Sequence, residues 1–309
     1  MQHITDAMVD AVVTAQDART ILHEAFAAFS DTEAAMQARV RTEAAGVKLS
    51  TLGAVIPGQD VVGAKVYTTI EGRFSFVILL FSARDGRPLA TLDAGAITRI
   101  RTAACSLLAA QALARPDAAV MGLFGAGTQG VEHAVQMTHA LGLKQVLVHD
   151  PYAADELEPR LAKLTGAEVK REAPDTIAAT ADIIVTASRS REPLFSGSAV
   201  KPGAFIAAIG SSLPTTRELD DALLARAHTI VVEWKPQTLQ EAGDLLLADP
   251  AIGVEQKIVE FSEVVVGRVT RNHADDIYLY KSVGVGLEDV ALAGHAYKKL
   301  AEREGWAQP

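Results

Sequence analysis

The sequence predicts an α/β protein with two domains, the second built on a doubly wound parallel sheet. Its 309 residues are enough for two domains that each bury a substantial core. After Pro116, short apolar segments alternate with helical or loop segments, which is the pattern of a parallel sheet flanked by helices. Before Pro116, successive β-prone segments predict an antiparallel or mixed sheet, so we expect an α+β first domain.

The first domain is predicted to begin with a helix, because Thr14 and Asp17 have the spacing of a capping box. Apolar residues then recur at the helical period that buries one face, at Ile21, Leu22, Ala25, Phe26 and Phe29. Residues 61–69 and 74–83 are β-prone, and Asp85-Gly86 follows them where a hairpin turn is expected. Residues 97–114 are predicted to be helical.

The second domain is predicted from the regular rhythm after Pro116. We expect strands at residues 118–124, 145–149, 182–187, 204–209 and 229–233, and helices that end near residue 141 and span residues 155–164. Beyond residue 271 the pattern indicates a strand at 277–281 and a helix from about 286 to 303, a tail that we expect to return to the first domain. The predicted domains are therefore 1–115 completed by 272–309, and 116–271.

Composition excludes several classes of protein. The net charge of −9 and the pI near 5.4 argue against nucleic acid or an anionic membrane as the main partner. One cysteine, Cys105, cannot form an internal disulfide; its apolar surroundings predict an inert buried thiol in a reducing compartment. Residues 1–10 lack the pattern of a signal peptide, and the longest uncharged run, 118–131, is too short to span a bilayer. We therefore expect a cytoplasmic protein.

A glycine-rich turn follows the first predicted strand of the second domain. Residues 125–130 have the GxGxxG pattern, which is weak alone but here follows an apolar strand and opens a helix, in the order Gly125, Ala126, Gly127, Thr128, Gln129 and Gly130. In that context the three glycines permit a tight turn, close approach of a pyrophosphate, and close packing of helix on strand. The free N–H groups of the helix suit the phosphates. The sequence thus predicts a Rossmann domain that binds a dinucleotide; the alternative is a turn that serves packing only.

Asp150 ends the next predicted strand, where an acid accepts hydrogen bonds from the adenosine ribose of a dinucleotide. A carboxylate at this position repels a 2′-phosphate, and no arginine stands beside Asp150 or Pro151 to bind one. NAD is therefore predicted in preference to NADP. The alternative is a strand-end acid that caps a turn.

Three basic residues of the first domain, Arg41, Lys65 and Arg101, lie on separate predicted elements. Lys65 is set in an apolar β-like run, where a lysine can alternate to the solvent face. Spacing alone therefore gives no reason to group the three, and an exposed position is the simplest prediction for each.

The motifs that surround these residues resemble the ornithine cyclodeaminase/mu-crystallin family. The resemblance covers most of the chain, from about Arg41 to the C-terminal helix. It is carried by Ile97-Thr98, residues 101–104 (RTAA), residues 125–129 (GAGTQ), Gly203, Ile209-Gly210, residues 214–219 (PTTREL), residues 241–244 (EAGD), Lys281-Ser282, Gly284 and Glu288-Asp289.

This resemblance implies a substrate site in the first domain. Arg41, Lys65 and Arg101 match positions that hold the substrate carboxylate, and Arg101 and Thr102 are also implied to lie near the cofactor phosphates. Guanidinium groups suit a carboxylate because they bind it with two hydrogen bonds. A lysine among two arginines and apolar neighbours should have a lowered pKa, so Lys65 could donate a proton as a C–N bond is reduced.

The resemblance also implies the nicotinamide pocket and the assembly. Thr186, Ser188 and Gly210 match strand ends that line this pocket, and the segment at Lys281 and Ser282 closes it. The first domain, completed by the C-terminal segment, is implied to form a homodimer.

Ser212 departs from the pattern of the cyclodeaminases, which carry an aspartate two residues before the proline of the PTTREL stretch. A serine cannot hold negative charge or readily accept a proton near neutral pH. The sequence therefore resembles the ketimine-reductase branch more closely, and we expect reduction of an imino acid, or its reverse. Ornithine cyclodeamination to proline and ammonia, and ligand binding without turnover, are the alternatives.

Other chemistries find little support in the sequence. The eight histidines show no HExxH spacing and have no cysteine partner, so a metal site is not expected. A GxSxG nucleophile elbow is absent from the sequence. His133, on the helix after the glycine turn, is expected to serve packing or polar anchoring rather than catalysis.

Overall fold

Fifteen β-strands and eleven α-helices make up the chain in the computed structural model, which describes residues 1–309. The strands are β1 (Gln2–Ile4), β2 (Ala35–Met36), β3 (Val40–Ala44), β4 (Val47–Ile56), β5 (Val61–Ile70), β6 (Arg73–Ser82), β7 (Pro88–Asp93), β8 (Val120–Phe124), β9 (Gln145–His149), β10 (Glu168–Arg171), β11 (Ile183–Thr186), β12 (Phe205–Ala208), β13 (Ala227–Val232), β14 (Ile258–Glu260) and β15 (Ile277–Lys281).

The α-helices are α1 (Asp6–Asp10), α2 (Ala15–Ser30), α3 (Gly95–Leu113), α4 (Thr128–Leu141), α5 (Leu157–Thr165), α6 (Pro174–Thr180), α7 (Asp221–Arg226), α8 (Lys235–Glu241), α9 (Gly243–Leu246), α10 (Phe261–Val265) and α11 (Gly286–Glu304). None of these helices has both the length and the apolar character needed to cross a membrane. The capping box predicted at Thr14 and Asp17 is present, since each side chain accepts from the other's backbone N–H.

The chain divides into two units, Met1–Cys105 with Gly284–Pro309, and Ser106–Val283. The first division falls within α3, whereas the sequence placed a boundary after residue 115. Residues 272–309 are predicted to belong to the first domain, but β15 lies in the sheet of the second unit, between β12 and β13. An apolar strand pattern does not show which sheet a strand joins, so only the topology corrects this boundary.

The first unit contains a seven-stranded mixed sheet in the order β1-β7-β6-β5-β4-β2, with β3 also paired to β4. Only the β1–β7 pair is parallel; the other pairs are antiparallel. Along β5, burial alternates with a period of two, and Val61, Gly63, Lys65 and Tyr67 point to the buried face. Lys65 therefore does not reach the solvent face that spacing alone favoured.

Helix α11 covers this buried face. Its first turn lies very close to β4, because a Cβ placed on Gly286 would come within 2.5 Å of the backbone oxygen of Gly53. Only glycine at position 286 permits this approach. The close approach brings the first-turn acids Glu288 and Asp289 over the sheet, where both are fully buried.

The second unit contains an eight-stranded parallel sheet in the order β10-β9-β8-β11-β12-β15-β13-β14. The order reverses direction at β8, as in a doubly wound Rossmann sheet, where ligands bind outside the carboxyl ends of the strands. The predicted fold class, a doubly wound parallel sheet plus an α+β unit, is confirmed. The edge strands β10 and β14 escaped prediction because β10 is short and mostly polar and β14 has only three residues.

Candidate functional site

The turn between β8 and α4 lies at the point where the strand order reverses. Gly125 has φ +86°, and a Cβ there would lie 2.7 Å from the backbone oxygen of Ala187. A Cβ on Gly130 would lie 1.9 Å from the oxygen of Gly125, so helix and strand pack too closely for a larger residue. A Cβ on Gly127 would meet no atom within 4 Å. Gly125 and Gly130 are therefore required by the backbone conformation and by the close packing around them, whereas Gly127 faces open space.

A cavity of about 590 Å³ opens beside this turn. The first turn of α4 presents its free N–H groups at the same end of the sheet, where a phosphate is favoured by the helix dipole. The cavity volume, the open space at Gly127 and the helix N-terminus fit a dinucleotide. The lining residues are Gly125, Gly127, His149, Asp150, Pro151, Tyr152, Ala187, Ser188, Arg189, Ser190 and Leu194.

Asp150 lines this cavity and also holds the local backbone. Its two carboxylate oxygens accept hydrogen bonds from the backbone N–H groups of Ala126, at 2.8 Å, and Tyr152, at 2.9 Å. The turn-capping role weighed as an alternative is therefore present in the structure. Each carboxylate oxygen has a further lone pair, so capping leaves acceptor capacity for ribose hydroxyls.

Glu218 connects the loops that follow β11 and β12. One carboxylate oxygen accepts from the backbone N–H of Ser188, at 2.8 Å, and from its hydroxyl, at 2.7 Å. The other accepts from the Thr186 hydroxyl and the Gly210 N–H, both at 2.8 Å. Burial raises the pKa of Glu218, while the nearby charge of Lys281 opposes that shift. The three strand-end residues implied for the nicotinamide pocket are thus held by one buried carboxylate.

A buried ion pair between Asp244 and Lys281 lies next to Glu218. Asp244 accepts from the backbone N–H groups of Glu218 and Leu219, and its other oxygen lies 2.9 Å from Lys281 Nζ. Lys281 also donates to the backbone oxygen of Ala208 at the end of β12. The PTTREL, EAGD and KS motifs therefore meet in one polar cluster of fully buried charged side chains.

The side chains of Ser282 and His133 form hydrogen bonds within the second unit. The Ser282 hydroxyl donates to Glu233 at 2.5 Å, and the other oxygen of Glu233 accepts from the Val283 N–H. His133 is fully buried, with Nδ1 2.7 Å from the Gln129 oxygen and Nε2 2.9 Å from the Ser106 hydroxyl. A carbonyl only accepts, so Nδ1 carries the proton there. His133 therefore anchors α4, which is the role predicted for it.

Lys65 lies in the first unit with only 3% of its surface exposed. Its ammonium donates to the Thr98 hydroxyl at 2.7 Å, lies 3.3 Å from Asp289 Oδ1, and stands over the ring of Phe76 at 4.7 Å. Burial lowers the pKa of Lys65 to about 8; Asp289 acts in the opposite direction, and the charge of Arg101 adds to the lowering. The lysine is therefore poised to exchange a proton near neutral pH.

Arg101 shares its partner with Lys65. Its Nε lies 3.2 Å from Asp289 Oδ1, and Nη1 donates to Glu288. Gly284, with φ +75°, lies so close that a Cβ there would come 2.8 Å from Arg101 Nη2. The positive charges lower the pKa of Asp289 against the effect of its burial. Arg101 is thus fixed by two carboxylates of its own chain and is only 5% exposed.

Arg41 shares the sheet face of Lys65. It pairs with Ser50 in the ladder of β3 and β4, Ser50 pairs with Tyr67, and Tyr67 stands two residues after Lys65 on β5. Directly paired residues and residues two apart point to one face, so both basic side chains do.

Arg39 and Thr102 of the first unit both donate hydrogen bonds to backbone oxygens. Arg39 donates to the backbone oxygen of Gly284 at 2.7 Å, and its charge also lowers the pKa of Lys65. Thr102 is 5% exposed, and its hydroxyl donates to the backbone oxygen of Thr98 at 2.7 Å. The Thr102 hydroxyl is therefore bonded within its own helix. Arg39 joins Lys65 and Arg101 in the group of basic residues that interact in the first unit.

Sequence reasoning missed the roles of Arg39, Glu218 and Asp289. Glu218 and Asp289 did stand within the motifs PTTREL and Glu288-Asp289, but as residues without an assigned contact. The signal that could have found Asp289 is its place in the first turn of a helix otherwise rich in apolar residues, where a buried acid needs a cationic partner. Arg39 gave no signal beyond its two-residue spacing from Arg41.

Comparison with known proteins gives a consistent family. The model of the ornithine cyclodeaminase/mu-crystallin family matches residues 1–304. Ketimine reductase mu-crystallin of Mus musculus is 32% identical over 257 residues, which span 81% of this chain and 79% of that protein.

Two solved structures extend this similarity to the whole fold. A protein of Bordetella pertussis Tohama I described as a probable ornithine cyclodeaminase is 62% identical, with a TM-score of 0.99 and full coverage of both chains (100% each). The Δ1-pyrroline-2-carboxylate reductase of Thermococcus litoralis, solved in complex with NADH and L-proline, is 26% identical, with a TM-score of 0.92 and coverage of 99% and 98%.

Proposed function

Because the chain belongs to the ornithine cyclodeaminase/mu-crystallin family, we propose that it is an NAD-dependent oxidoreductase that reduces the C=N bond of an imino acid, or runs the reverse reaction. The observation that carries the proposal is Lys65, a buried lysine with a pKa lowered to about 8 beside fixed cationic groups. Such a group suits proton donation to the nitrogen of a C–N bond. The reductase relatives act on substrates of this class.

The dinucleotide supplies the hydride when it is bound. In the proposal the N–H groups at the start of α4 hold its pyrophosphate at Gly127, and Asp150 accepts from the adenosine ribose. Thr186, Ser188 and Gly210 form the wall beside the nicotinamide, and Glu218 keeps them in place. Ser282 acts through Glu233, which fixes the segment that follows β15.

The first unit contributes the acid and the carboxylate site. Lys65 Nζ would give one proton to the imine nitrogen. Together with the hydride that a bound dinucleotide would supply to the imine carbon, this proton would complete reduction to the neutral amine of an amino acid. Arg41 and Arg101 bind the substrate carboxylate with guanidinium N–H groups. Thr102 is the next residue after Arg101 on α3. Asp289 orients Lys65 and Arg101, because one oxygen contacts both.

A substrate panel tests this proposal. The purified protein is incubated with NADH and with cyclic imino acids, including Δ1-pyrroline-2-carboxylate, or with oxo acids plus amines, and nicotinamide absorbance is followed. We expect NADH consumption with at least one imino acid that carries a carboxylate next to the imine carbon. Tight NADH binding without turnover of any panel member would instead favour a ligand-binding protein.

Ornithine cyclodeamination is the second candidate, because the 62% identical Bordetella pertussis protein is described as a probable ornithine cyclodeaminase. Ser212, which is half-buried, stands where the cyclodeaminases carry an aspartate, and this difference favours the reductase. Incubation with ornithine and NAD separates the candidates, since only cyclodeamination releases ammonia without net change in the dinucleotide.

The exposed face of the first unit's sheet supports a homodimer, which we propose as the assembly. Val40, Thr51, Val66 and Val77 form one directly paired row across β3, β4, β5 and β6. Large apolar side chains exposed on this same face are Val40, Val47, Leu49, Val55, Ile70 and Val77. A contiguous apolar sheet face of this kind is typical of a protein interface, and a second copy of the chain offers an equally apolar partner.

A further inference from the structure

The dinucleotide cavity contains an arginine to which the proposed function gives no role. Arg189 follows Ser188 on the loop after β11 and lines the cavity together with Gly127 and Asp150. It is exposed, and it forms no ion pair or hydrogen bond within the protein. The sequence could not predict that Arg189 lies in this cavity, because Arg189 is distant in the chain from both the glycine turn and Asp150.

The loop that carries Arg189 is held firmly against the glycine turn. Ser188 is fixed to Glu218 through its N–H and its hydroxyl, at 2.8 and 2.7 Å. A Cβ on Gly125 would lie 3.2 Å from Ser188 Cα, so the backbone before Arg189 abuts the turn directly. The Ser188 hydroxyl also accepts from the Ser190 N–H at 3.1 Å, which braces the loop on the far side of Arg189. The base of the arginine side chain is therefore well placed.

A bound dinucleotide would bring more negative charge into the cavity than the N-terminus of α4 can balance, so a cationic side chain is expected there. Each phosphate of a dinucleotide carries a negative charge, whereas the N-terminus of α4 offers only roughly half an elementary charge. Asp150 adds a carboxylate to the same cavity. Arg189 is the one lysine or arginine among the lining residues, and a guanidinium forms strong paired hydrogen bonds with a phosphate.

We propose that Arg189 binds a phosphate of the dinucleotide, either the pyrophosphate or the 2′-phosphate of NADP. The inference rests on the proposed dinucleotide site and deepens it. If the ligand group is the 2′-phosphate, this chain accepts NADP in spite of Asp150, and the selectivity for NAD expected from that acid is relaxed.

Binding of NADH and of NADPH to the wild-type protein and to Arg189→Ala tests the proposal by calorimetric titration. A lost guanidinium–phosphate contact should raise Kd roughly ten- to a hundredfold. An equal rise for both dinucleotides identifies the pyrophosphate, and a rise for NADPH alone identifies the 2′-phosphate. Arg189→Lys, which keeps a point charge without the planar fork, should recover part of the affinity.

Arg191→Ala is the matched control, because Arg191 is an exposed arginine of the same loop that does not line the cavity. Unchanged Kd values for both dinucleotides in Arg189→Ala, or an equal rise in Arg191→Ala, would overturn the assignment while the dinucleotide site stands. If the wild-type protein binds neither dinucleotide, the proposed function itself fails, and the assignment fails with it.

Discussion

The ammonium of Lys65 lies 3.3 Å from Oδ1 of Asp289, and both side chains are buried. The same oxygen contacts Arg101 Nε at 3.2 Å, so Asp289 is shared between the proposed acid and a proposed carboxylate ligand. Burial lowers the pKa of Lys65 and Asp289 counteracts this. The pair therefore sets the pH at which the lysine can give up its proton.

The pH dependence of turnover follows from this pair. Reduction requires protonated Lys65, so kcat/KM should fall as pH rises through about 8, and the reverse reaction should rise over the same range. Asp289→Asn removes the charge that favours the ammonium, so the midpoint should move to lower pH. Asp10→Asn, which removes a partly exposed ion pair with Arg99, should leave the midpoint in place. Equal midpoints in wild type and Asp289→Asn would refute the coupling.

Substitution of Lys65 separates chemistry from cofactor binding. Lys65→Ala should abolish turnover, because the imine nitrogen loses its proton donor, while Kd for NADH stays within about twofold of wild type. Lys65→Arg keeps a positive charge but has a pKa too high to release the proton, so it should also be inactive. Turnover assays and NADH titration measure the two effects. Normal turnover by Lys65→Ala would remove this residue from the mechanism.

The glycine turn offers two alanine substitutions with opposite expectations. Gly127 has φ −71° and open space around a Cβ, so Gly127→Ala should keep the melting temperature at or slightly above that of wild type and weaken NADH binding. Gly130→Ala places a methyl group 1.9 Å from the Gly125 oxygen and should destabilise the fold by about 1–3 kcal/mol or more. Thermal melts and NADH titrations compare them. Undiminished NADH affinity in Gly127→Ala would place the pyrophosphate elsewhere.

Substitution of Glu218 should impair the nicotinamide end of the proposed site and leave binding at the adenosine end unchanged. Glu218→Gln replaces one acceptor oxygen by an NH2 group, which cannot accept from the donors around it. Since the strand-end loops lose their anchor, kcat should fall roughly ten- to a hundredfold. The affinity for ADP-ribose, which lacks nicotinamide, should change little. In the control Glu192→Gln, on the exposed loop, both kcat and the affinity for ADP-ribose should stay close to wild type. A lower melting temperature with unchanged kcat would make Glu218 purely structural.

The proposed dimer depends on the apolar sheet face. Val77→Glu places a charge at the end of the paired row on that face, where Val77 is 40% exposed, and should convert a dimer to monomers. Leu164→Glu, at an equally exposed leucine on α5 in the second unit, should leave the assembly unchanged. Light scattering coupled to gel filtration gives the mass of each variant. A monomeric wild-type protein would contradict the proposal.

Local signals predicted much of the fold. The capping box at Thr14, the strands at β5 and β9 and the glycine turn depend on residues adjacent in the chain, so the sequence specifies them. The membership of β15 could not be predicted, because an apolar segment pairs equally well with any buried neighbour. Burial of Lys65 was also beyond reach, since it depends on α11, which begins more than two hundred residues later.

Predictions for the site divide in the same way. The tight turn at Gly125 and the close packing of helix on strand at Gly130 follow from the spacing of one turn, and both are present in the structure. The part of these glycines in cofactor binding stays a prediction. The clusters around Asp289 and Glu218 join residues from distant motifs, so pattern alone could not pair them. The family resemblance selected the motifs, and the structure supplied their contacts.

Hydride transfer to the carbon of a C–N bond is tested most directly with NADH that carries deuterium on the transferred position of the nicotinamide. The protein is incubated with this NADH and a cyclic imino acid, and the product is analysed by mass spectrometry and NMR. We expect an amino acid that carries the deuterium on its α-carbon. Product without deuterium at that carbon, or ammonia release from ornithine with no imino acid reduced, would contradict the proposed reaction.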